Sequence, residues 1–167
     1  LMFDSSFSII LIFLFIIPIF ILAIIIKLFD GSPVFFIQER AGLNGKKINI
    51  VKFKTLITLN DGGKKVSKLG KFLRLTRIDE IPQLFNVISG NLSFVGPRPL
   101  YIKYIKLYSP KQKRRLEMKP GITGWAQING DNNISWKKKF DLDIWYIENF
   151  NFLLDLKIIF LIIIFFF

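Results

Sequence analysis

"FSIILIFLFIIPIFILAIII", residues 7–26, runs twenty positions without a charge, and the way this run sits decides what kind of fold the chain has. About 20 apolar residues at 1.5 Å each cover the hydrocarbon thickness of a bilayer, so length and composition point to a membrane helix. Pro18 stands mid-run, where it removes a backbone hydrogen bond and favours a kink. Asp4 before the run and Lys27 after it leave the orientation poorly specified. Three readings follow from the residues alone: a straight span, a helix bent back to its entry face, or a buried helix. A signal peptide fits badly, because no basic start precedes the run and no small-residue cleavage site follows.

The rest of the chain tells what such a helix would serve. Among 167 residues the net charge is +12, the isoelectric point is near 10.0 and the mean hydropathy is +0.43. A basic chain with apolar ends suits an anionic membrane surface, an anionic substrate, or both. Cysteine and histidine are both missing, so zinc chemistry and a disulfide framework are improbable; a metal here is a hard cation on oxygen ligands, Mg²⁺ first. Nucleic-acid binding is the rival for a basic, aromatic-rich chain. No RNP, helix-turn-helix or zinc pattern supports it.

Beyond the apolar run, a turn at Asp30–Pro33 leads to a strand-like Val34–Ile37. A second turn at Leu43–Gly45 precedes the alternating Ile48, Ile50, Val51 and Phe53, and a short β-hairpin is the plain reading. "NDGGKKVSKLG" (60–70) reads as a loop. Ile81, Leu84, Phe85 and Ile88 mark one apolar helix face, with Asp79 as N-cap and Glu80 in the first turn. Leu100–Tyr108 and a basic segment after Ser109-Pro110 read as helical. Asn91–Pro99 and the stretch around Trp125 read as loops, and a helix covers about Lys137–Asn149. Ile158–Phe167 is too short to span a bilayer; it is read as an interfacial or truncated segment.

Asp79 and Glu80 are the only acids between Asp61 and Glu117, an interval with thirteen Lys and Arg residues. They can act as a helix cap and a charge near the helix dipole. They can also be oxygen ligands that hold Mg²⁺ and a phosphate together, with Arg74, Arg77 or Arg98 neutralising the remainder. A carboxylate can further attack phosphorus directly.

Taken in order, five stretches resemble the bacterial sugar transferase family of monotopic polyprenyl-phosphate phosphoglycosyl transferases. They are "GSPVFFIQERAGLNGK", "KFKT", "RLTRIDEIPQLFNVISGNLSFVGPRP", "KPGITGWAQINGDNNISW" and "KKFDLDIWYIENFNFLLDLKIIF". The resemblance implies an α+β, mostly helical fold: a proline-broken re-entrant membrane helix (1–28), a small cytosolic catalytic domain (29–157) with a short β-hairpin and interfacial amphipathic helices, and the apolar segment 158–167. It implies transfer of a sugar 1-phosphate from a UDP-sugar to undecaprenyl phosphate at the cytoplasmic face of the bacterial inner membrane, releasing UMP and starting a glycan. Asp79 would be nucleophile and Mg²⁺ contact, and Glu80 would assist. Arg74, Arg77 and Arg98 would bind phosphate, and Pro18 would mark the membrane break. Inner-membrane lipid is the expected partner and nucleic acid is not; no oligomeric state is implied. Three departures from the family pattern stand out. Ile17 replaces a frequent Ser, Asp131 stands where relatives commonly carry Arg, and the usual basic residues before Phe3-Asp4 are missing, which fits a start lying further upstream. Asp131 keeps a second expectation open, a catalytically silent membrane-associated scaffold of the same family.

Overall fold

The computed structural model describes residues 2–59, 61–130 and 133–166. These form two compact units, Met2–Gln38 with Ile50–Ile88, and Glu39–Asn49 with Ser89–Phe167. The architecture is mostly helical with short two-stranded sheets, the α+β class expected.

In the first unit, α1 covers Met2–Phe29, and its Ser6–Phe29 portion is long and apolar enough to cross a membrane. Pro18 lies inside α1 without dividing it, whereas the sequence suggested a break at that point. Phe15, Ile19, Leu22 and Ile26 recur at helical spacing and form the stripe that packs into the unit's core with Phe53, Leu73 and Ile81. Phe13, Leu14, Ile17, Phe20, Ile21 and Ile24 stay exposed. An apolar face of that extent on a helix with no polar side is what lipid covers.

Strands β1 (Phe35–Ala41) and β2 (Lys47–Phe53) pair as the expected hairpin, and the chain passes between the units along it. The stretch read as a Gly- and Lys-rich loop is more ordered than its composition suggests. β3 (Leu56–Thr58) pairs antiparallel with β4 (Lys64–Val66), and α2 (Lys68–Leu75) follows. The Leu59 amide donates to the Gly63 carbonyl at 2.8 Å and the Gly62 amide to the Leu59 carbonyl at 2.9 Å, closing this hairpin, so the loop signal marks only its tip. Ser67 caps α2, accepting from the Gly70 amide at 2.7 Å and donating to Asp30 Oδ2 at 2.5 Å.

At Gly70 an added Cβ would lie 2.3 Å from the Thr55 carbonyl oxygen. A backbone atom cannot step aside as a side chain can. Gly70→Ala is therefore expected to cost about 1–3 kcal/mol, read as a lowered midpoint of thermal unfolding.

After α2 the chain makes a 3₁₀ turn, Ile78–Gln83, that runs into α3 (Leu84–Ile88). The sequence suggested an α-helix starting at Asp79. Pro82 explains the difference: it disfavours α geometry at Ile81 and has no N–H to donate.

In the second unit, β5 (Ser93–Val95) pairs in parallel with β6 (Gly121–Thr123), a contact between two stretches that both read as loops. The pairing requires Gly121, whose Cβ would sit 2.1 Å from the Gly96 amide nitrogen. Between the strands lie a 3₁₀ segment, Ile102–Leu107, then α4 (Pro110–Lys113) and a second 3₁₀ turn, Arg114–Glu117. Short α5 (Trp125–Ile128) precedes α6 (Trp136–Asn149), which matches the helix expected there. α7 covers Phe152–Phe166, and the apolar run from Ile158 is continuous with it. Val95, Tyr146 and Ile158 form the core of this unit. The buried Tyr146 hydroxyl is satisfied by donating to Asp155 Oδ1 at 2.5 Å.

Candidate active site

Asp79 and Glu80 sit in the 3₁₀ turn and are buried, at 8% and 7% of their surface exposed. The turn is entered through Arg77, which holds the left-handed conformation at φ 57°. Few non-glycine residues adopt that region, and such strain gathers at functional positions. The Glu80 amide donates back to the Arg77 carbonyl at 3.0 Å. This i to i−3 bond tightens the turn and carries both carboxylates inward.

Each carboxylate meets a different environment. Glu80 Oε1 forms an ion pair with the Lys52 ammonium. Asp79 Oδ1 is buried and has no hydrogen-bond partner among the described residues. Burial pushes the Asp79 carboxyl above the usual carboxylate range and Glu80 pushes it further, against the opposing pull of Lys52, Arg74 and Arg77. A buried acceptor without a partner is costly and rare, so it calls for a ligand.

Arg74 donates through Nε to Thr55 Oγ1 at 2.9 Å. The Thr55 carbonyl accepts from the Ser67 amide at 3.1 Å. The cation is thereby tied to the start of its own helix. Arg74, Arg77, Asp79 and Glu80 lie in one unit. Arg98 is carried by the other unit, in the loop after β5, where it lines a pocket. Ile17 is exposed on α1, and Asp131 lies outside the described residues.

Lys52 was not singled out from the sequence, although a signal was available. Strand alternation places it on the face of Ile50, which is buried. A lysine on a buried strand face needs a carboxylate partner. Glu80 supplies it across 28 positions. Lys52→Met removes an ammonium that the buried Glu80 meets, and is expected to lower turnover about 10–100-fold, as loss of an orienting partner does. Initial rates at saturating substrate test this.

The residues present fit Mg²⁺. No cluster of three or more acidic ligands occurs among the described residues, but Mg²⁺ is usually held by one or two carboxylates plus substrate phosphates. The unpartnered Oδ1 of Asp79, beside Glu80, is the kind of oxygen it takes.

The bacterial sugar transferase family model matches residues 1–167. The chain belongs to the bacterial sugar transferase family. A sugar transferase of Bacillus subtilis, EpsL, itself uncharacterized, is 53% identical over 142 residues, covering 81% of this chain and 70% of that protein. The UDP-glucose:undecaprenyl-phosphate glucose-1-phosphate transferase of Klebsiella pneumoniae is 39% identical over 158 residues, covering 84% of this chain but 34% of that protein. A UDP-N-acetylgalactosamine-undecaprenyl-phosphate N-acetylgalactosaminephosphotransferase of Aeromonas hydrophila is 35% identical over 156 residues, covering 83% of this chain and 36% of that protein. The chain therefore spans about a third of the length of these two named transferases. Membership of the sugar transferase family agrees with a buried acid pair set among cations, a site suited to an anionic phosphate ester.

Proposed function

We propose that this sugar transferase moves a sugar 1-phosphate from a UDP-sugar to undecaprenyl phosphate by way of a phosphosugar ester on Asp79. The observation that carries the reading is the buried Asp79 carboxylate, with one oxygen unpartnered, beside a Glu80 already engaged by Lys52. Desolvation strips water from the attacking oxygen, and the ion pair fixes the neighbouring carboxylate in place.

In the first step an Asp79 oxygen attacks the phosphorus bonded to the sugar. The bond from that phosphorus to the UMP oxygen breaks, and UMP leaves with the electron pair. In the second step a phosphate oxygen of undecaprenyl phosphate attacks the same phosphorus, and the Asp79 carboxylate is released. Arg74 and Arg77 offset the negative charge that gathers around phosphorus. Mg²⁺, when bound through Asp79, supplies further charge neutralisation for the diphosphate. Glu80 positions the site or accepts a proton, and Glu80→Gln is expected to lower turnover strongly.

The membrane reading rests on α1 and on α2, which turns Phe72 and Leu75 outward among Lys68, Lys71 and Arg74. That pattern suits an interfacial helix at an anionic surface. Pro18 does not divide α1, but a proline can bend a helix without ending it, and we take α1 as bent there and re-entrant, with the catalytic residues on the cytoplasmic face of the inner membrane. The chain has no cysteine, so single cysteines introduced at each end of residues 7–26 can be labelled cleanly. Labels reacting on opposite faces would rule the re-entrant path out.

A UMP-release screen over several UDP-sugars, with undecaprenyl phosphate and Mg²⁺, tests the chemistry. Release with one donor, lost in EDTA and restored by Mg²⁺, is the expected result. Membrane binding with no release from any donor would make the chain a silent scaffold instead.

A further inference from the structure

Two adjacent residues, Lys54 and Thr55, join the end of the apolar helix α1 to the cation Arg74, all within one compact unit. We infer that Lys54 is a positioning residue: by gripping the end of α1 it fixes Thr55, and Thr55 fixes the Arg74 guanidinium beside the acid pair. The inference rests on the transferase reading for the task of Arg74, and on hydrogen bonds alone for the geometry.

The chain leaves α1 through Asp30 and Gly31, the latter in the left-handed conformation, at φ 72°, that commonly ends a helix. The Asp30 amide still donates to the Ile26 carbonyl at 2.8 Å. Beyond that point the carbonyls need donors from elsewhere. The Lys54 ammonium serves three of them, on Asp30 at 2.7 Å, Gly31 at 2.9 Å and Ser32 at 3.4 Å. An ammonium has three donors, and at a helix C-terminus it also meets the negative end of the dipole. The Lys54 amide donates to the Val34 carbonyl at 2.8 Å, so the backbone is held to the same connection.

Thr55 carries the grip onward. It is buried, and its hydroxyl accepts from Arg74 Nε at 2.9 Å. Its carbonyl accepts from the Ser67 amide at 3.1 Å. Ser67 closes a second route, donating to Asp30 Oδ2 at 2.5 Å while it caps α2. The packing leaves no slack, since a Cβ at Gly70 of α2 would lie 2.3 Å from the Thr55 carbonyl oxygen. From the end of α2, the Arg74 carbonyl accepts from the Arg77 amide at 3.4 Å, and the Arg77 carbonyl from the Glu80 amide at 3.0 Å. The seat of α1 is therefore transmitted to the turn that holds the acids. A helix cap alone would stabilise α1 and leave turnover untouched; the shared connection gives Lys54 a second effect.

The test uses the full chain in detergent, with the donor that the UMP-release screen selects. Lys54→Met keeps the stem and removes the donors, and should lower kcat/KM about tenfold or more, as displacement of a positioned group does. Lys54→Arg should recover most of that loss, because a guanidinium also donates to several carbonyls. In an Arg74→Ala background Lys54→Met should add nothing, the mark of one residue acting through another. Thr55→Val breaks only the link to Arg74 and should reproduce the loss, which decides the matter if Lys54→Met does not fold. Hydrogen exchange gives a readout without turnover: amides of residues 67–77 should exchange faster in Lys54→Met. An equal loss with and without Arg74 makes Lys54 a plain cap and overturns the inference. So does unchanged exchange in Lys54→Met, or unchanged kcat/KM in Thr55→Val. If exchange rises in Lys54→Met but the unmodified chain turns over no UDP-sugar, the linkage stands and the transfer reading falls. If turnover proceeds and Lys54→Met leaves it unchanged, the transfer reading stands and the positioning role falls.

Discussion

Asp79→Asn is expected to abolish the proposed UMP release and to leave the protein as stable as before or more so. The amide keeps the size and removes the proposed nucleophile, so turnover should fall by about 10⁴-fold or more, the scale on which nucleophile removal acts. Stability moves the other way for a separate reason. Asp79 is a buried charge beside Glu80, with one oxygen unpartnered, and a neutral group at that position removes the repulsion and the desolvation cost. A midpoint unchanged or raised by up to about 4 °C corresponds to about 1 kcal/mol in a chain of this size. The proposed covalent step has its own readout: radiolabel from a UDP-sugar should stay with the unmodified protein when undecaprenyl phosphate is left out, and should not stay with Asp79→Asn. Near-normal turnover in that variant would remove the covalent mechanism. An activity lost together with a collapsed midpoint would make Asp79 structural.

Arg115→Ala is the change with the largest expected effect on folding. The guanidinium and the Asp143 carboxylate are 4% and 7% exposed. Nε and Nη2 reach Asp143 Oδ2 at 3.1 and 2.8 Å, Nη1 reaches the Tyr108 hydroxyl at 3.3 Å, and Nη2 also reaches the Arg98 carbonyl. Burial pushes the Asp143 carboxyl upward even with Arg115 and Lys139 beside it. With Arg115 gone, that carboxyl is a buried charge without its main partner, at a cost of about 3–5 kcal/mol. The unfolding midpoint should fall by about 6–20 °C. Lysine should not rescue it, because a single ammonium cannot reproduce a fork that serves a carboxylate, a hydroxyl and a carbonyl together. Replacing both partners, Arg115→Met with Asp143→Leu, should recover most of the loss, since the desolvation cost leaves with the charges. A loss below about 1 kcal/mol in Arg115→Ala would mean that the pair does not hold the Arg98 loop.

These two cases differ in how far they could be read along the chain. Asp79 stood out as half of a lone acid pair in a basic interval, and its neighbours Arg74 and Arg77 are close in sequence. The partner of Glu80 was hidden, because Lys52 lies on a distant strand and alternation alone does not say which carboxylate it meets. Asp143 and Arg115 looked like ordinary charges on two basic helical stretches. Nothing local marks a pair separated by 28 positions as buried. The strands β5 and β6 were missed for the same reason: three residues each leave no periodicity to read, and their pairing is non-local.

The sequence by itself determined the apolar helix, the β1–β2 hairpin, the helix ending at Asn149 and the acid pair, because each is written in local spacing, turn chemistry or charge. Tertiary structure alone decided that α1 continues through Pro18, that the acid pair lies in a 3₁₀ turn, and which cation holds which acid. Those outcomes depend on which distant groups meet out of water. Desolvation raises the strength of every contact made there and the cost of every one missed.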